Sequence, residues 1–217
     1  MSRSFGPGHL LDCYRRGVFP MAERRDDPRL FIVDPDVRGV LPLERFHVPG
    51  KLARLVRSQP FDIRVDTAFG AVVEACAAPA PGRENTWINT PILNLYCGLH
   101  RMGFAHSVEC WSGAQLVGGL YGVAVEGAFF GESMFSITPN ASKVALVHLA
   151  GRLRGQGFRL LDTQFVTEHL RQFGAVEVPR GEFRILLGEA LETPASFGDA
   201  LAYAQGQDVL QLITQTS

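Results

Sequence analysis

The chain has 217 residues, 46% hydrophobic and 20% charged, enough for a sizeable core in one domain or in a small domain joined to a larger one. Its formal net charge of −1 excludes a generic polyanion binder, although local basic clusters can still meet phosphates. Cys13, Cys76, Cys97 and Cys110 are widely spaced without a C-x-x-C pair. That argues against a disulfide framework or a common zinc site and predicts free thiols, with Cys76 and Cys97 buried. No segment approaches ~18 uninterrupted apolar residues and no signal pattern opens the chain, so a soluble cytoplasmic protein is expected.

In chain order, residues 8–17 predict a short helix ended by Gly17. RLFIVDPDVRGVLPL predicts two short strands broken by Pro35. The proline and aspartate content here suggests a small irregular N-terminal unit. A helix follows from near Pro49, with Leu52, Leu55 and Val56 inward and Lys51, Arg54 and Arg57 outward. FDIRVDT alternates as a strand, and FGAVVEACAAPAP is a helix stopped by prolines, leading into a loop with Asn85 and Trp87. TPILNLYCGLHRMG is an amphipathic helix with Gly103 as its C-cap. Residues 105–135 read as three antiparallel strands turning at SGAQ and VEGA. Asn140 is expected to N-cap ASKVALVHLAGRLRGQG; FRLLDTQF is the next strand, and TEHLRQFGAVEV a helix capped by Thr167. The tail from about Thr193 is weakly patterned and expected to be peripheral. This order predicts an α+β fold, an acetyltransferase-like mixed sheet flanked by helices.

Several polar patterns compete for the chemistry. Gly131-Glu132-Ser133-Met134-Phe135 approaches a nucleophile elbow, but Phe135 replaces the final glycine and no helix opens there. Arg152-Leu153-Arg154-Gly155-Gln156-Gly157 fits the R-x-x-G-x-G phosphate loop of acetyl-CoA enzymes, yet it ends a helix, where carbonyls would face the anion. His148 reads as a core residue, and His106 and His169 carry no pattern. Glu132, beside Phe129 and Phe130, is costly to bury without a partner, which Lys143 or an arginine could supply. Asp162 and Gln164, two apart on a strand, share a face; the alternative duty for Asp162 is to fix a neighbouring loop. Together with Met134 and Leu161 they suggest an apolar pocket with a few placed polar groups.

These residues carry a resemblance. GGLYGVAVEGAFFGESMFS, NASKVAL and DTQFVTEHLRQFGAVEVPR closely resemble the leucyl/phenylalanyl-tRNA–protein transferase family, as do YRRGVFP, VDPDVRGVLPL, TWI at 86–88 and GFAHSVECW. The likeness runs from about residue 8 to 190 in unbroken order. It implies transfer of Leu, Phe or Met from aminoacyl-tRNA to an N-terminal Arg or Lys of a protein, creating an N-degron, with no metal or organic cofactor. It also implies a small N-terminal domain, placed at 1–45, before an acetyltransferase-like domain at 46–217; a monomer is expected.

By motif position the resemblance assigns catalysis to Asp162 and Gln164. The Leu/Phe pocket falls to Leu120, Phe129, Gly131, Glu132, Ser133, Leu149, Leu153 and Leu161. Trp87 falls beside the terminal adenine, and Lys51, Arg54 and Arg57 on the tRNA path. An amide is too weak a base to take a proton outright, so Gln164 is expected to hold the amine while the vicinal ribose hydroxyl or water moves the proton. Met21 stands where many members have tryptophan, and Ile32-Val33 where a Trp-Trp pair often occurs. The alternatives are an acetyl-CoA-dependent N-acetyltransferase on the same fold and a noncatalytic tRNA- or peptide-binding module.

Overall fold

A computed structural model describes residues 5–27, 29–79, 86–198 and 207–214; the Asn85 loop position lies outside the described residues. Helix α1 (Pro7–Arg15) is followed by the two-stranded sheet of β1 (Phe19–Met21) and β2 (Phe31–Val33). Gly17, at φ +76°, makes the turn after α1 in the left-handed region that glycine enters freely. The main sheet has seven strands. It is assembled from β3 (Val37–Val40), β4 (Asp62–Val65), β5 (Ala105–Ser112), β6 (Gln115–Val125), β7 (Ala128–Ser136), β8 (Leu160–Gln164) and β9 (Val176–Pro179), in the order β4-β5-β6-β7-β8-β3-β9. The expected α+β class, a mixed sheet flanked by helices, is what the chain forms.

The turns expected at SGAQ and VEGA join β5, β6 and β7 as an antiparallel meander. β8 then runs parallel to β7, a return that requires a crossover, and α5 (Ala141–Gly155) provides it. β3 lies antiparallel between β8 and β9. Residues 37–40 are therefore hydrogen-bonded on both edges into the main sheet. One face is covered by α5 with α2 (Gly50–Arg57); the other is covered by α1, α3 (Phe69–Ala77), α4 (Thr90–Arg101) and α7 (Arg180–Leu191). Glycines allow two close approaches. Gly118 admits Ala141, at the start of α5, onto β6, and Gly39 lies beneath the Phe165–Val166 backbone, where a side chain would meet backbone atoms at 2.7–2.8 Å.

Four expectations need correction. Asn140 precedes α5 but is left-handed (φ +68°) with no side-chain cap bond; the chain turns so sharply out of β7 that Ser136 Oγ accepts from the Ser142 N–H instead. TEHLRQFGAVEV is not one helix. Thr167 Oγ1 does accept from the Leu170 N–H, yet α6 (Glu168–Arg171) ends before Gly174 (φ +93°), and Val176–Pro179 pairs with β3. The tail is not peripheral, because Phe197 stacks on Phe129 at 5.3 Å. Val209, Leu210 and Ile213 of α8 (Gln207–Thr214) are buried, and α8 packs on α5. Cys97 is only half-buried, whereas Cys76 is buried; none of the four cysteines is in a disulfide.

Candidate active site

The site begins with an irregularity in β7. Tyr121 pairs with Ser133 and Gly122 with Gly131, so Glu132 is the extra residue of a β-bulge. Phe129 and Phe130 point to opposite faces of the sheet, Phe129 into the α5 side and Phe130 against Tyr14 at 4.7 Å between ring centroids. Glu132 joins the Tyr14 side. Its Oε1 is hydrogen-bonded to the Tyr14 hydroxyl and its Oε2 to the Tyr96 hydroxyl, both at 2.6 Å, and the two hydroxyls are 2.8 Å apart. Burial pushes the Glu132 carboxyl up to about 7, against the opposing pull of the two hydroxyls. Tyrosines rather than Lys143 or an arginine partner it.

Glu132 lines a cavity of about 420 Å³ from the Tyr14 side, called the floor below, and the volume is within the usual range for a small-ligand site. Leu120, Leu149, Leu161, Met134 and Leu146 line its apolar part; Trp87, Gly131, Ser133 and Gln164 also line it. Phe129, Leu153 and Asp162 do not. Phe129 packs into the aromatic cluster with Phe158 and Phe197, and Leu153 faces the core one turn beyond Leu149. The N-terminal strand adds Phe19 and Met21 to the wall, and His169 enters from α6.

Asp162 is fully buried in a bidentate pair with Arg38, 2.9 Å to Nε and 2.6 Å to Nη2. Arg38 also donates to the Gly17 carbonyl and lies over the rings of Phe19 and Phe183, each about 4.5 Å from the guanidinium carbon. Asp162 Oδ1 further accepts from the Gln164 backbone N–H at 2.9 Å, and Gln164 adopts a left-handed conformation (φ +56°). The shared face expected for Asp162 and Gln164 is lost at this break in the strand. Asp162 fixes the backbone, as its alternative reading allowed, while Gln164 meets the cavity.

Among the described residues, four buried side-chain atoms have no hydrogen-bond partner: Tyr121 Oη, Thr163 Oγ1, Gln164 Nε2 and His169 Nε2. All four residues line this cavity. Leaving such groups dry costs roughly 1–3 kcal/mol each, so their convergence marks a place for a polar ligand group. Burial lowers the His169 imidazole below its ordinary value, which keeps it neutral near neutral pH. Sequence reasoning missed Arg38, Tyr14, Tyr96, Tyr121, Thr163 and His169. All but Tyr96 lay inside quoted motifs, Tyr14 in YRRGVFP, Arg38 in VDPDVRGVLPL, Tyr121 in GGLYGVAVEGAFFGESMFS, and Thr163 and His169 in DTQFVTEHLRQFGAVEVPR, but no spacing along the chain told which of their side chains would meet.

Elsewhere the expected minor readings hold, His148 excepted. Ser133 sits within a strand, not at an elbow. Arg152 and Arg154 bind carbonyls of Phe197, Gly198, Leu43 and Ile213 at the end of α5, where Gly157 (φ +80°) turns the chain. His148, expected in the core, is instead only partly buried in α5, where desolvation still pushes its imidazole down to about 4. Lys51, Arg54 and Arg57 form an exposed basic face on α2 and do not line the cavity. No described helix is long and apolar enough to cross a membrane.

An apolar chamber with unpartnered polar atoms lining it, in an α+β sheet with one parallel crossover, is the architecture of a protein suited to a ligand that combines an apolar part with a polar head. The family model for leucyl/phenylalanyl-tRNA protein transferase matches residues 40–188, and the model of that family's N-terminal domain matches residues 3–36. A leucyl/phenylalanyl-tRNA–protein transferase of Phenylobacterium zucineum is 62% identical over 98% of this chain and 99% of its own. That of Caulobacter vibrioides is 58% identical over the whole of both. The chain belongs to the leucyl/phenylalanyl-tRNA protein transferase family. Among solved structures, L-PGS from Bacillus licheniformis superposes with a TM-score of 0.46 at 13% identity, covering 85% of this chain and 76% of that one.

Proposed function

We propose that this protein transfers Leu or Phe, and Met, from aminoacyl-tRNA to the α-amino group of an N-terminal Arg or Lys of acceptor proteins, creating an N-degron. The observation that carries the reading is the cavity itself, apolar below and edged by Tyr121, Thr163, Gln164 and His169 with atoms awaiting partners. An unbranched-at-Cβ apolar side chain fits among Leu120, Leu149 and Leu161. A pocket of this kind separates one methylene by only about 1–3 kcal/mol, so Met is accepted with Leu and Phe. Trp87, on the rim against Tyr96, supplies a face for the terminal adenine, and the α2 cations Lys51, Arg54 and Arg57 meet phosphates further along the tRNA.

In the reaction the acceptor amine attacks the ester carbonyl. The C–N bond forms, the C–O bond to the ribose breaks, and one amine proton ends on the departing ribose oxygen. Gln164 orients the amine through its side-chain amide, and the neutral ring of His169 is the lining group able to carry the proton. Asp162 acts as a positioning residue: locked by Arg38, it holds the Gln164 N–H and thereby the left-handed turn that aims the side chain. The ester brings the energy, so no cofactor is invoked, and the protein works as a cytoplasmic monomer.

The test is incorporation of radiolabelled Leu or Phe from charged tRNA into a peptide starting with Arg. Transfer into that peptide and not into one starting with Glu is the expected result. Binding of aminoacyl-tRNA with no incorporation would leave only a binding module.

A further inference from the structure

The cavity floor poses a proton-counting problem. The Tyr14 hydroxyl, the Tyr96 hydroxyl and the Glu132 carboxyl close a ring through contacts of 2.6, 2.6 and 2.8 Å. Each contact of that length needs a proton between its two oxygens. Two phenols supply two protons, and both remain protonated because burial raises each hydroxyl well above its ordinary value. If Glu132 is ionised and takes both phenolic protons, the phenol oxygens face each other at 2.8 Å with nothing between them. A protonated Glu132 completes the ring: the acid donates to one phenol, that phenol to the other, and the second phenol back to the other carboxyl oxygen, in either sense of circulation.

The other charged or titratable neighbours do not alter the count. Tyr121 on β6 leaves its hydroxyl unpartnered, Asp162 on β8 is neutralised by Arg38 on β3, and His169 on α6 is held neutral. Among the described residues no cation forms an ion pair with Glu132; Arg38 acts on it only at a distance, and burial pushes the carboxyl up to about 7.

We propose that Glu132 works as a protonated acid, and that its proton is a specificity element: it gives the substrate's amino-acid side chain an uncharged floor, and its loss weakens the hold on Leu and Phe. The proposal rests on the site reading above. In the acid form the chamber is neutral beneath an apolar side chain. Ionisation puts an anion with no countercharge under that side chain and costs the ring one bond. Binding of apolar donors is therefore tightest below the midpoint and weakens above it, towards tenfold per pH unit when only the acid form binds.

Two measurements decide it. Infrared spectra of protein carrying 13C-carboxyl glutamate should show an acid carbonyl band at about pH 6 that is missing in E132Q and titrates away with a midpoint near 7. Should E132Q fail to fold, Tyr14→Phe assigns the band by shifting it, since the acid then loses a partner. Absence of an acid band at about pH 6 overturns the proposal. The second measurement is binding of 3′-phenylalanylamido-adenosine, whose amide cannot react, between about pH 6 and 8.5. The wild type should weaken about fivefold from pH 7 to 8, whereas E132Q, whose amide carries both donor and acceptor but no ionisable proton, should be flat. A slope that persists in E132Q belongs to another group, His169 first, and overturns the specificity role. If the acid band is present but Leu is never transferred from charged tRNA, the proposed activity fails while the protonated floor stands.

Discussion

Glu132 and Asp162 lie on neighbouring strands, Glu132 lining the cavity and Asp162 buried behind it, and the fold neutralises them by opposite means. Asp162, at the shoulder, is fully buried and receives a whole guanidinium from Arg38. Glu132, at the floor, receives only hydroxyl groups. A carboxylate removed from water must be paired or lose its charge. The shoulder uses an ion pair, which suits a rigid strut under Gln164. The floor uses protons, which suits a surface meeting an apolar side chain. The lesson is that two acids close together in space can have unrelated duties, one structural and one facing substrate.

The largest effect should come from breaking the shoulder. Arg38→Ala leaves Asp162 buried without its counter-ion and should cost about 3–5 kcal/mol in urea unfolding, with loss of transfer. Adding Asp162→Asn to that variant should recover part of the stability, because the stranded charge is gone; no recovery would mean that Arg38 acts through Phe19 and Phe183 instead. Next is the residue the shoulder aims. Gln164→Ala should lower the transfer rate at saturating substrate about 100-fold while the unfolding midpoint stays close to wild type. A change in KM alone would assign Gln164 to binding rather than to the reacting amine.

The floor should show a smaller effect with a definite sign. Glu132's folded value is raised above its ordinary one, so its contribution to stability is present at low pH and is lost as pH rises through about 7. E132Q should therefore be the more stable protein at about pH 8, on the order of 2 kcal/mol by chemical denaturation, with the gap closing towards pH 5. A gap independent of pH would remove ionisation as its cause. The smallest effect lies outside the comparison: Arg54→Ala on α2 should reduce the salt slope of tRNA binding by about one and leave the floor and shoulder untouched.

The local grammar of the chain was readable because its signals are short-range. Left-handed glycines at 17, 103 and 157, the turns in the β5–β7 meander, the Thr167 cap and the outward cations of α2 all follow from residues a few positions apart. The importance of the Gly131–Ser133 and Asp162–Gln164 segments was also legible, through polar groups set in apolar strands. Misreadings arose where a distant partner decided. Val176–Pro179 becomes a strand because β3 offers it an edge, and the tail is drawn in because Phe197 and α8 fill the α5 face.

Sequence alone thus determined most elements from β2 to β8, the α+β class and the two segments that build the site, since periodicity, capping and the family's motifs are written along the chain. Only the tertiary structure decided what those residues do there. It took Phe129 out of the pocket by packing it against Phe158 and Phe197, and singled out Glu132 through a bulge. It brought Tyr14 and Tyr96 to Glu132 across 118 and 36 residues of chain, and Arg38 to Asp162 across 124. The physical reason is that a carboxyl's charge is set by the groups that replace its water, and folding chooses those groups from anywhere along the chain.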